Sequence, residues 1–390
     1  MNIPDLARDE SAFEQWRRDE FPFFAGKIFL THASVSPLPR RAADAISAYA
    51  QNIAREGQFD AVHSEIYRRC KERVARIVGH GARESEVAFA GSTSAALGII
   101  ATGIDWQKDD NCVVADGDFP ANVIPWKNLA RRGVEVRLIP HREAMDICVD
   151  DIAPLVDEKT RIVSLASANF LSGFPLDLNS IGAYLHARKV LFCVDAIQTL
   201  GAIRLDAAHV DFVCADAHKW LLGPNGVAVL WARQSALEQI HPAILGWLAP
   251  QKRDDWFAYD TTPIDSAERF EPGARNYLGA IALEASLAQG EETGWKWIEN
   301  RVVELRDLAA RRLGEIGCTL LWNPEPNLKS GIVSFQPKSD TMELYKKLDA
   351  RFALSLRNDK AGAPWIRVSP HWMNTHADIE ELVSAIQAHA

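Results

Sequence analysis

Lys219 follows His218 directly in the stretch CADAHKWLLGPNGVAVLWA, residues 214–232, at the end of an apolar run and just before a glycine-proline turn. A lysine is costly where the chain builds a core, because burial strips water from the ammonium group. An amine whose pKa is lowered by its surroundings becomes a nucleophile towards carbonyl carbons. Lys219 is therefore a candidate for bonding to an aldehyde, and a solvent-exposed His-Lys pair is the alternative.

A carboxylate and an amide lie close together earlier in the chain. In VLFCVDAIQTLG, Asp195 ends an apolar run and Gln198 follows three residues later. An aspartate at the floor of a cleft could pair with a protonated ring nitrogen, and Gln198 could reach an oxygen on the same ring. A strand-terminal aspartate that closes a turn is the alternative interpretation.

A small-residue turn, Gly-Ser-Thr-Ser, joins an apolar run to a helical stretch in AFAGSTSAALGII. Gly91 allows close backbone approach, and Ser92 and Thr93 open onto the positive end of the helix, which favours an anion such as phosphate. Ordinary N-capping by serine or threonine is the alternative.

These three features have one chemistry in common. A phosphate cradle, a carboxylate for a heteroaromatic N–H and an imine-forming amine are the handles that pyridoxal phosphate requires. In this hypothesis Lys219 tolerates its apolar setting because bonding to the cofactor aldehyde replaces a free ammonium with a stabilised Schiff base.

The elements that must position these residues are seven short apolar runs that alternate with helical stretches: EVAFA, NCVVAD, VEVRLIP, RIVSLASA, VLFCVDA, VDFVCADA and GVAVLWA. This alternation is typical of a mainly parallel sheet covered by helices on both faces. Ligands of such sheets bind at the carboxyl ends of the strands. The turn at Ser92, the carboxylate of Asp195 and the amine of Lys219 all fall there.

Beyond about residue 265 the pattern changes to long amphipathic helices and then short strands such as GIVSFQ, FALSLR and WIRVS. Helices and strands that no longer alternate strictly are typical of an α+β unit. We predict three parts: an N-terminal segment, 1–30, that packs on both domains, a large α/β domain, 31–264, and a small α+β domain, 265–390.

Composition narrows the classes of partner. A formal charge of −9 over 390 residues argues against a nucleic-acid surface, which needs a concentrated positive face. No apolar run reaches the ~20 residues that cross a bilayer, and the N-terminus lacks a signal-like apolar region, so we expect a cytoplasmic protein without membrane contacts. The six cysteines form no CxxC pair and the histidines no HxH or HxxxH spacing, so we expect reduced thiols and no metal.

Nearly the whole chain, from IFLTHASVSPLP to IRVSPHWMNTHADIEELVSAI, resembles the class V aminotransferase family of fold-type I pyridoxal-phosphate enzymes. That family includes cysteine desulfurases, selenocysteine lyases, isopenicillin N epimerase-like proteins and kynureninases. The most specific motifs are VDAIQTLG, DAHKWLLGPNG and RVSPHWMNT. The resemblance implies a seven-stranded-type sheet in the large domain, and a homodimer with its sites at the subunit interface.

The resemblance also implies roles for the cofactor-binding residues. Lys219 matches the Schiff-base lysine, Asp195 the partner of the pyridinium nitrogen and Gln198 the residue near the phenolic oxygen. Ser92 and Thr93 match the phosphate-binding loop.

Four further residues match by the same resemblance. His218 matches a histidine that helps to bind phosphate, and Phe119 the ring that stacks on the cofactor, although it could be plain core. Asn169 matches the asparagine near the ring oxygen and substrate, or forms a turn. Arg367 matches the arginine that holds the substrate carboxylate, or forms an ion pair. His32 is a further substrate-binding candidate.

Three departures from the family pattern stand out. The span LSLRNDKAGAPWIRV lacks the reactive cysteine that desulfurases carry ahead of the carboxylate-binding arginine, which argues against persulfide-forming activity. Ala274 replaces a threonine that reaches the neighbouring subunit's phosphate, a task that Arg275 or backbone amides could take over. Asp216 replaces a small hydroxyl residue, and because a phosphate would repel it, we expect it to turn away or to orient His218 or Lys219.

The sequence thus predicts a pyridoxal-phosphate enzyme that acts on a small amino-acid substrate through a Lys219 Schiff base and a Cα carbanion. An aminotransferase or amino-acid lyase is the first hypothesis. An isopenicillin N epimerase-like racemase and a catalytically silent binding protein on the same fold are the alternatives, because the motifs do not decide where the next proton goes.

Overall fold

The computed structural model describes residues 3–58, 60–325 and 327–389, so residues 1 and 2 of the predicted N-terminal segment, and residues 59, 326 and 390 of the two domains, lie outside the described residues. Within these ranges the strands are β1 Ile28–Phe29, β2 Val87–Ala90, β3 Asn111–Ala115, β4 Glu135–Ile139, β5 Thr160–Ala166, β6 Leu191–Asp195, β7 Phe212–Asp216, β8 Ala228–Ala232, β9 Thr319–Leu320, β10 Val333–Gln336, β11 Phe352–Ala353, β12 Ser355–Asn358 and β13 Pro364–Val368. The α-helices are α1 Ile3–Leu6, α2 Glu10–Glu20, α3 Arg40–Glu56, α4 Asp60–Val78, α5 Thr93–Gly103, α6 Ile124–Lys127, α7 Val149–Ile152, α8 Leu178–His186, α9 Gln234–Leu237, α10 Tyr277–Thr293, α11 Trp295–Glu315, α12 Thr341–Leu348 and α13 His376–His389.

A seven-stranded sheet with the order β2-β8-β7-β6-β5-β3-β4 forms the centre of the molecule. Strand β8 runs antiparallel to both of its neighbours, and the other six strands share one direction. All seven predicted strands are present, and the prediction of a mainly parallel α/β sheet of fold type I is confirmed.

The sheet is buried on both faces, as its apolar strand sequences require. In β6, Phe192 and Val194 point into one hydrophobic cluster, and Leu191 and Cys193 point into another on the opposite face. This alternation follows from the two-residue period of a strand. Because both faces are closed to water, only the ends of the strands remain available for ligands.

The C-terminal part contains a four-stranded antiparallel sheet with the order β12-β13-β10-β9. Apolar side chains of α11, α12 and α13 cover it and form a separate core. Helix α10 instead packs on α3 and α4, and its Tyr277, Leu283 and Leu287 belong to the core of the large sheet. The domain boundaries stay a prediction, although α10 shares its core with the large domain.

The N-terminal segment is tied to the C-terminal part by backbone pairing. Strand β1 pairs in parallel with β11, and Thr31 forms a bridge with Ser369 just beyond β13. An aromatic cluster that includes Phe13, Phe21 and Phe29 of this segment packs against Trp220 and Trp372. These contacts fix the position of residues 31–36 beside the large sheet.

A buried ion pair anchors α2 to α13. The guanidinium of Arg17 donates to the carboxylate of Asp378, and both side chains are buried. Asp378 also accepts hydrogen bonds from Asn374 Nδ2 (2.9 Å) and Thr375 N (3.0 Å), so it organises the turn that precedes α13.

We expect the substitution Arg17→Leu to lower the free energy of unfolding by about 3 kcal/mol, because it leaves a buried carboxylate without its cation. The neighbouring change Arg18→Leu removes only an exposed pair with Glu14 and should cost at most ~1 kcal/mol. Urea unfolding followed by far-ultraviolet circular dichroism compares the two variants, and equal losses would contradict the anchoring role.

Candidate active site

Polar side chains collect at the shared carboxyl edge of the six parallel strands. Asp195 is the last residue of β6, Lys219 follows the end of β7, and Ser92 and Thr93 connect β2 to α5. Asn169 lies just beyond β5. The topology therefore brings together residues that lie far apart in the sequence.

Lys219 is buried, with 7% of its surface exposed, so the solvent-exposed interpretation does not hold for this residue. The pKa of its amine is lowered to about 7, chiefly by burial and then by the positive charges of Arg367 and Arg357, while Asp195 and Asp216 oppose the shift. The Nζ atom lies 5.7 Å from the centre of the Phe119 ring. A large fraction of this amine is therefore uncharged and nucleophilic near neutral pH.

Asp195 is 2% exposed, and its Oδ1 accepts a hydrogen bond from Ile197 N at 3.0 Å. Burial raises the pKa of this carboxyl group to about 7, the negative charge of Asp118 contributes, and Lys219 opposes the shift. No arginine, lysine or histidine among the described residues forms an ion pair with it. A cationic N–H group brought into the site would supply the missing partner.

Asp118 was missed by the sequence analysis, although it directly precedes Phe119. Its carboxylate accepts from Phe119 N at 2.6 Å and from Asn122 Nδ2 at 3.0 Å. Burial raises the pKa of this group too. It thus places a second carboxylate near Asp195.

Gln198 is engaged at both ends of its amide. Its Nε2 donates to Ala33 O, and its Oε1 accepts from Trp220 Nε1, each at 3.2 Å. The side chain therefore links the N-terminal segment to the turn that carries Lys219. A contact with a ring oxygen stays a prediction and would have to use the second N–H of the amide.

The turn before α5 has the form of a capped helix start that can also bind an anion. Ser92 Oγ accepts from Ala95 N at 3.1 Å, as an N-cap does, and Thr93 Oγ1 accepts from Asp216 N at 2.9 Å. Both hydroxyl groups keep their own protons for donation. The N-capping alternative is therefore observed for Ser92, and it leaves the phosphate-binding prediction open.

Asp216 faces His218, one of the two arrangements expected for it. His218 Nδ1 lies 2.8 Å from Asp216 Oδ1. The two atoms are close enough for a charge contact, but they do not form a hydrogen bond with each other. The backbone oxygen of His218 accepts from Ser36 N at 2.7 Å, which fixes the turn from the side of the N-terminal segment.

Phe119 and Asn169 lie at the mouth of the site. Phe119 is 43% exposed, so it is not a core residue, and its ring centre lies 5.3 Å from that of Phe170. Asn169 Oδ1 accepts from Leu171 N and Ser172 N, both at 2.9 Å, which makes Asn169 a turn former. Its Nδ2 group remains able to donate to a ligand.

Arg367, on β13, reaches the site from the C-terminal sheet and is only 1% exposed. Its guanidinium donates to Phe170 O and to the hydroxyls of Ser34 and Ser355. No carboxylate of the described residues pairs with it, so the ion-pair alternative is not observed there. Burial, and then the charge of Arg357, lower the pKa of Arg367 to about 9.

His32 is fully buried among aromatic rings. Its Nδ1 lies 3.0 Å from Ser369 O, and its ring centre lies 4.7 Å from Phe29 and 5.2 Å from His371. Burial, and then the charge of His371, lower the pKa of His32, so the imidazole is neutral. Contact with a substrate stays a prediction for this residue.

Arg275, a possible substitute for the threonine missing at position 274, is engaged within its own chain. It pairs with Glu268 at 3.3 Å and with Glu271 at 3.4 Å, and its guanidinium carbon lies 5.0 Å from the centre of the Tyr67 ring. In the structure, its charge is therefore already balanced by two carboxylates.

Metal-binding clusters and membrane-spanning helices are both absent from the described residues. No three histidine, cysteine or acidic side chains in these ranges are grouped so that they could hold a metal ion. None of the helices in the described part of the chain combines the length and the apolar character that a membrane span needs.

Comparison with known proteins gives consistent matches over most of the chain. A model of the family described as Aminotransferase class-V matches residues 28–382. A curated "Probable cysteine desulfurase" of Methanothermobacter thermautotrophicus is 27% identical and aligns over 96% of this chain and 97% of its own. An "Uncharacterized aminotransferase" of Schizosaccharomyces pombe is also 27% identical, over 81% and 80%.

Solved structures share the fold. The apo cysteine desulfurase of Thermococcus onnurineus superposes with a TM-score of 0.85 at 21% identity and covers 96% of this chain and 97% of that one. The cystine C-S lyase C-DES, in complex with cysteine persulfide, gives a TM-score of 0.86 at 22% identity over 94% and 98%.

We expect pyridoxal, an aldehyde without a phosphate group, to react with the purified apoprotein at a rate that rises with pH, with a midpoint at about 7, and then levels off. The amine of Lys219 is protonated and unreactive below its pKa and neutral above it. Absorbance of the bound aldehyde measures the rate. The variant Arg367→Gln should move the midpoint upwards, because it removes a charge that lowers this pKa. A midpoint near that of an exposed lysine would contradict the assignment.

Proposed function

The chain belongs to the aminotransferase class-V family, and from this we propose that it acts on an amino acid as an aminotransferase or amino-acid lyase, with Lys219 as its central residue. As a member of this family it is an enzyme that depends on pyridoxal 5'-phosphate. The observation that carries the proposal is the buried amine of Lys219, whose pKa is lowered to about 7, between a carboxylate and a guanidinium.

The residues of the site suit this cofactor in three ways. Lys219 offers a neutral amine for covalent attachment, and Asp195 offers a buried carboxylate for a ring N–H. Ser92 and Thr93, at the start of α5, and the imidazole of His218 offer donors for a phosphate. When bound, the cofactor supplies an electron sink for the bonds at Cα.

The remaining steps belong to side chains of the protein. Arg367 binds the substrate α-carboxylate through its planar guanidinium group. This carboxylate neutralises the buried charge of Arg367, which has no acidic partner in the described ranges. The neutral amine of Lys219 would take the proton from Cα and hold it for delivery in the next step. Phe119 covers one face of the site, and Asn169 Nδ2 donates to the substrate side.

A persulfide-forming desulfurase mechanism is not part of this proposal, although curated relatives carry that name. The segment between β12 and β13, residues 359–363, has no cysteine. Cys148 is the exposed thiol among the six cysteines, and it precedes α7, on the connection between β4 and β5. No thiol is therefore available on the segment that leads into β13.

We further propose a cytoplasmic homodimer whose sites lie at the subunit interface. Supporting this, one irregular segment presents large apolar side chains to solvent, each between 57 and 82% exposed: Ile244, Trp247, Trp256, Phe257 and Tyr259. Such a concentration is typical of a protein contact surface. The indole of Trp247, in this segment, lies close to Gly273, which precedes Ala274.

Borohydride treatment of the yellow holoenzyme should attach the cofactor irreversibly to Lys219. Peptide mass spectrometry can locate the labelled residue.

The variant Arg367→Gln should still bind the cofactor but should raise the KM for amino acids about 10- to 100-fold, through loss of a charged hydrogen bond. Assays of keto acid, ammonia, sulfide and optical rotation then identify the reaction. Persulfide on the protein, or a label on another lysine, would overturn the proposal.

The double substitution Trp256→Asp and Phe257→Asp should yield a monomer by size-exclusion chromatography with light scattering, because it places charges in an apolar contact. Substituting Ile124, which is exposed at a different place on α6, with aspartate serves as the matched control and should leave the dimer intact. A wild-type holoenzyme that is monomeric would contradict the dimer.

A further inference from the structure

Two guanidinium groups converge on one hydroxyl in the site. A terminal nitrogen of Arg367 lies 2.5 Å from Ser34 Oγ, and a terminal nitrogen of Arg357 lies 3.0 Å from the same oxygen. The two nitrogens are therefore no farther apart than the sum of these distances. Ser355 Oγ, 2.7 Å from Ser34 Oγ, completes the cluster.

Neither arginine has a negatively charged partner within the described ranges of the chain. The other hydrogen bond of Arg357 goes to the Leu356 carbonyl at 2.8 Å, and Arg367 otherwise contacts only Phe170 O and the Ser355 hydroxyl. Elsewhere in the molecule buried or half-buried arginines such as Arg17 and Arg275 pair with carboxylates. A negatively charged ligand between Arg357 and Arg367 would therefore reduce the repulsion between their two positive charges.

Both guanidinium groups also lie close enough to Lys219 for their charges to lower the pKa of its amine. A substrate with a single carboxylate would neutralise Arg367 and leave Arg357 unpaired. Arg357 is half-buried on β12, next to the 359–363 segment, whose Lys360 pairs with Asp116 across the site mouth. The second guanidinium therefore lies beside the first, within reach of a second carboxylate on a ligand that Arg367 holds.

We propose that Arg357 is a specificity-determining residue that binds a side-chain carboxylate, so that the substrate is an acidic amino acid. This inference rests on the proposed function, which assigns the α-carboxylate to Arg367. The short separation of the two guanidinium groups suits an amino acid whose carboxylates are separated by a short chain, such as aspartate or glutamate. The fork of an arginine matches a carboxylate in geometry and in charge.

Equilibrium binding to the holoenzyme tests this without turnover. Succinate and glutarate should bind about 10- to 100-fold more tightly than their monoamides by isothermal titration calorimetry, since each monoamide lacks one charged hydrogen bond. In kcat/KM, L-aspartate or L-glutamate should exceed L-asparagine and L-glutamine by a similar factor.

The substitution Arg357→Gln should abolish this preference for the dicarboxylate, and Arg357→Lys should restore part of it. Arg351→Gln, which removes an exposed arginine paired with Glu381, is the matched control and should keep the full preference. Equal binding of diacids and monoamides by the wild type would overturn the inference. Equal losses for both ligands in Arg357→Gln would also overturn it, because both arginines would then hold the same carboxylate.

The two proposals fail in different ways. If Lys219 carries the cofactor and neutral amino acids are converted as fast as acidic ones, only the assignment of Arg357 falls. If no label appears on Lys219, the proposed function falls, whatever the calorimetry shows.

Discussion

The site depends on the removal of water from the amine of Lys219. A charged lysine at this depth is disfavoured, and the two nearby guanidinium groups add to the penalty, so a substantial fraction of the amine is neutral near pH 7. The same loss of water has the opposite effect on Asp195, which it pushes towards the protonated form. Exclusion of water therefore favours both a neutral, nucleophilic amine and a carboxyl group without a cationic partner. The strands of the large sheet hold these two groups close together.

The direction of the strands brings Lys219 and Asp195 together in this buried site. Six strands end at one edge, so short loops after β2, β5, β6 and β7 converge without any long connection. The seventh, β8, runs the other way and closes the space between β2 and β7. A second sheet supplies Arg367 from the opposite side of the cleft, which is why the positive and negative halves of the site belong to different layers of the molecule.

Much of the fold and of the candidate site was predictable from the sequence. The seven strands follow from apolar runs, and Lys219, Asp195 and Ser92 follow from their positions at the ends of those runs. Arg357 and Ser34 could not be found in this way, because their meaning comes from a shared hydrogen bond between residues more than three hundred positions apart. The assignment of α10 depends on packing against α3 and α4, which periodicity alone does not reveal. Asp118 could have been considered from the sequence, because it adjoins Phe119. A single acidic residue in a polar turn, however, has no distinctive sequence pattern.

The pairing of β1 with β11 has a consequence for biosynthesis. Residues 28–31 leave the ribosome more than three hundred residues ahead of their partners at 352–369. The strand ends that surround Lys219 are complete long before that, so a nascent chain can assemble its anchoring lysine and acid while the arginine pocket is still unformed. Completion of the arginine pocket therefore has to wait until β11, β12 and β13 have been synthesised.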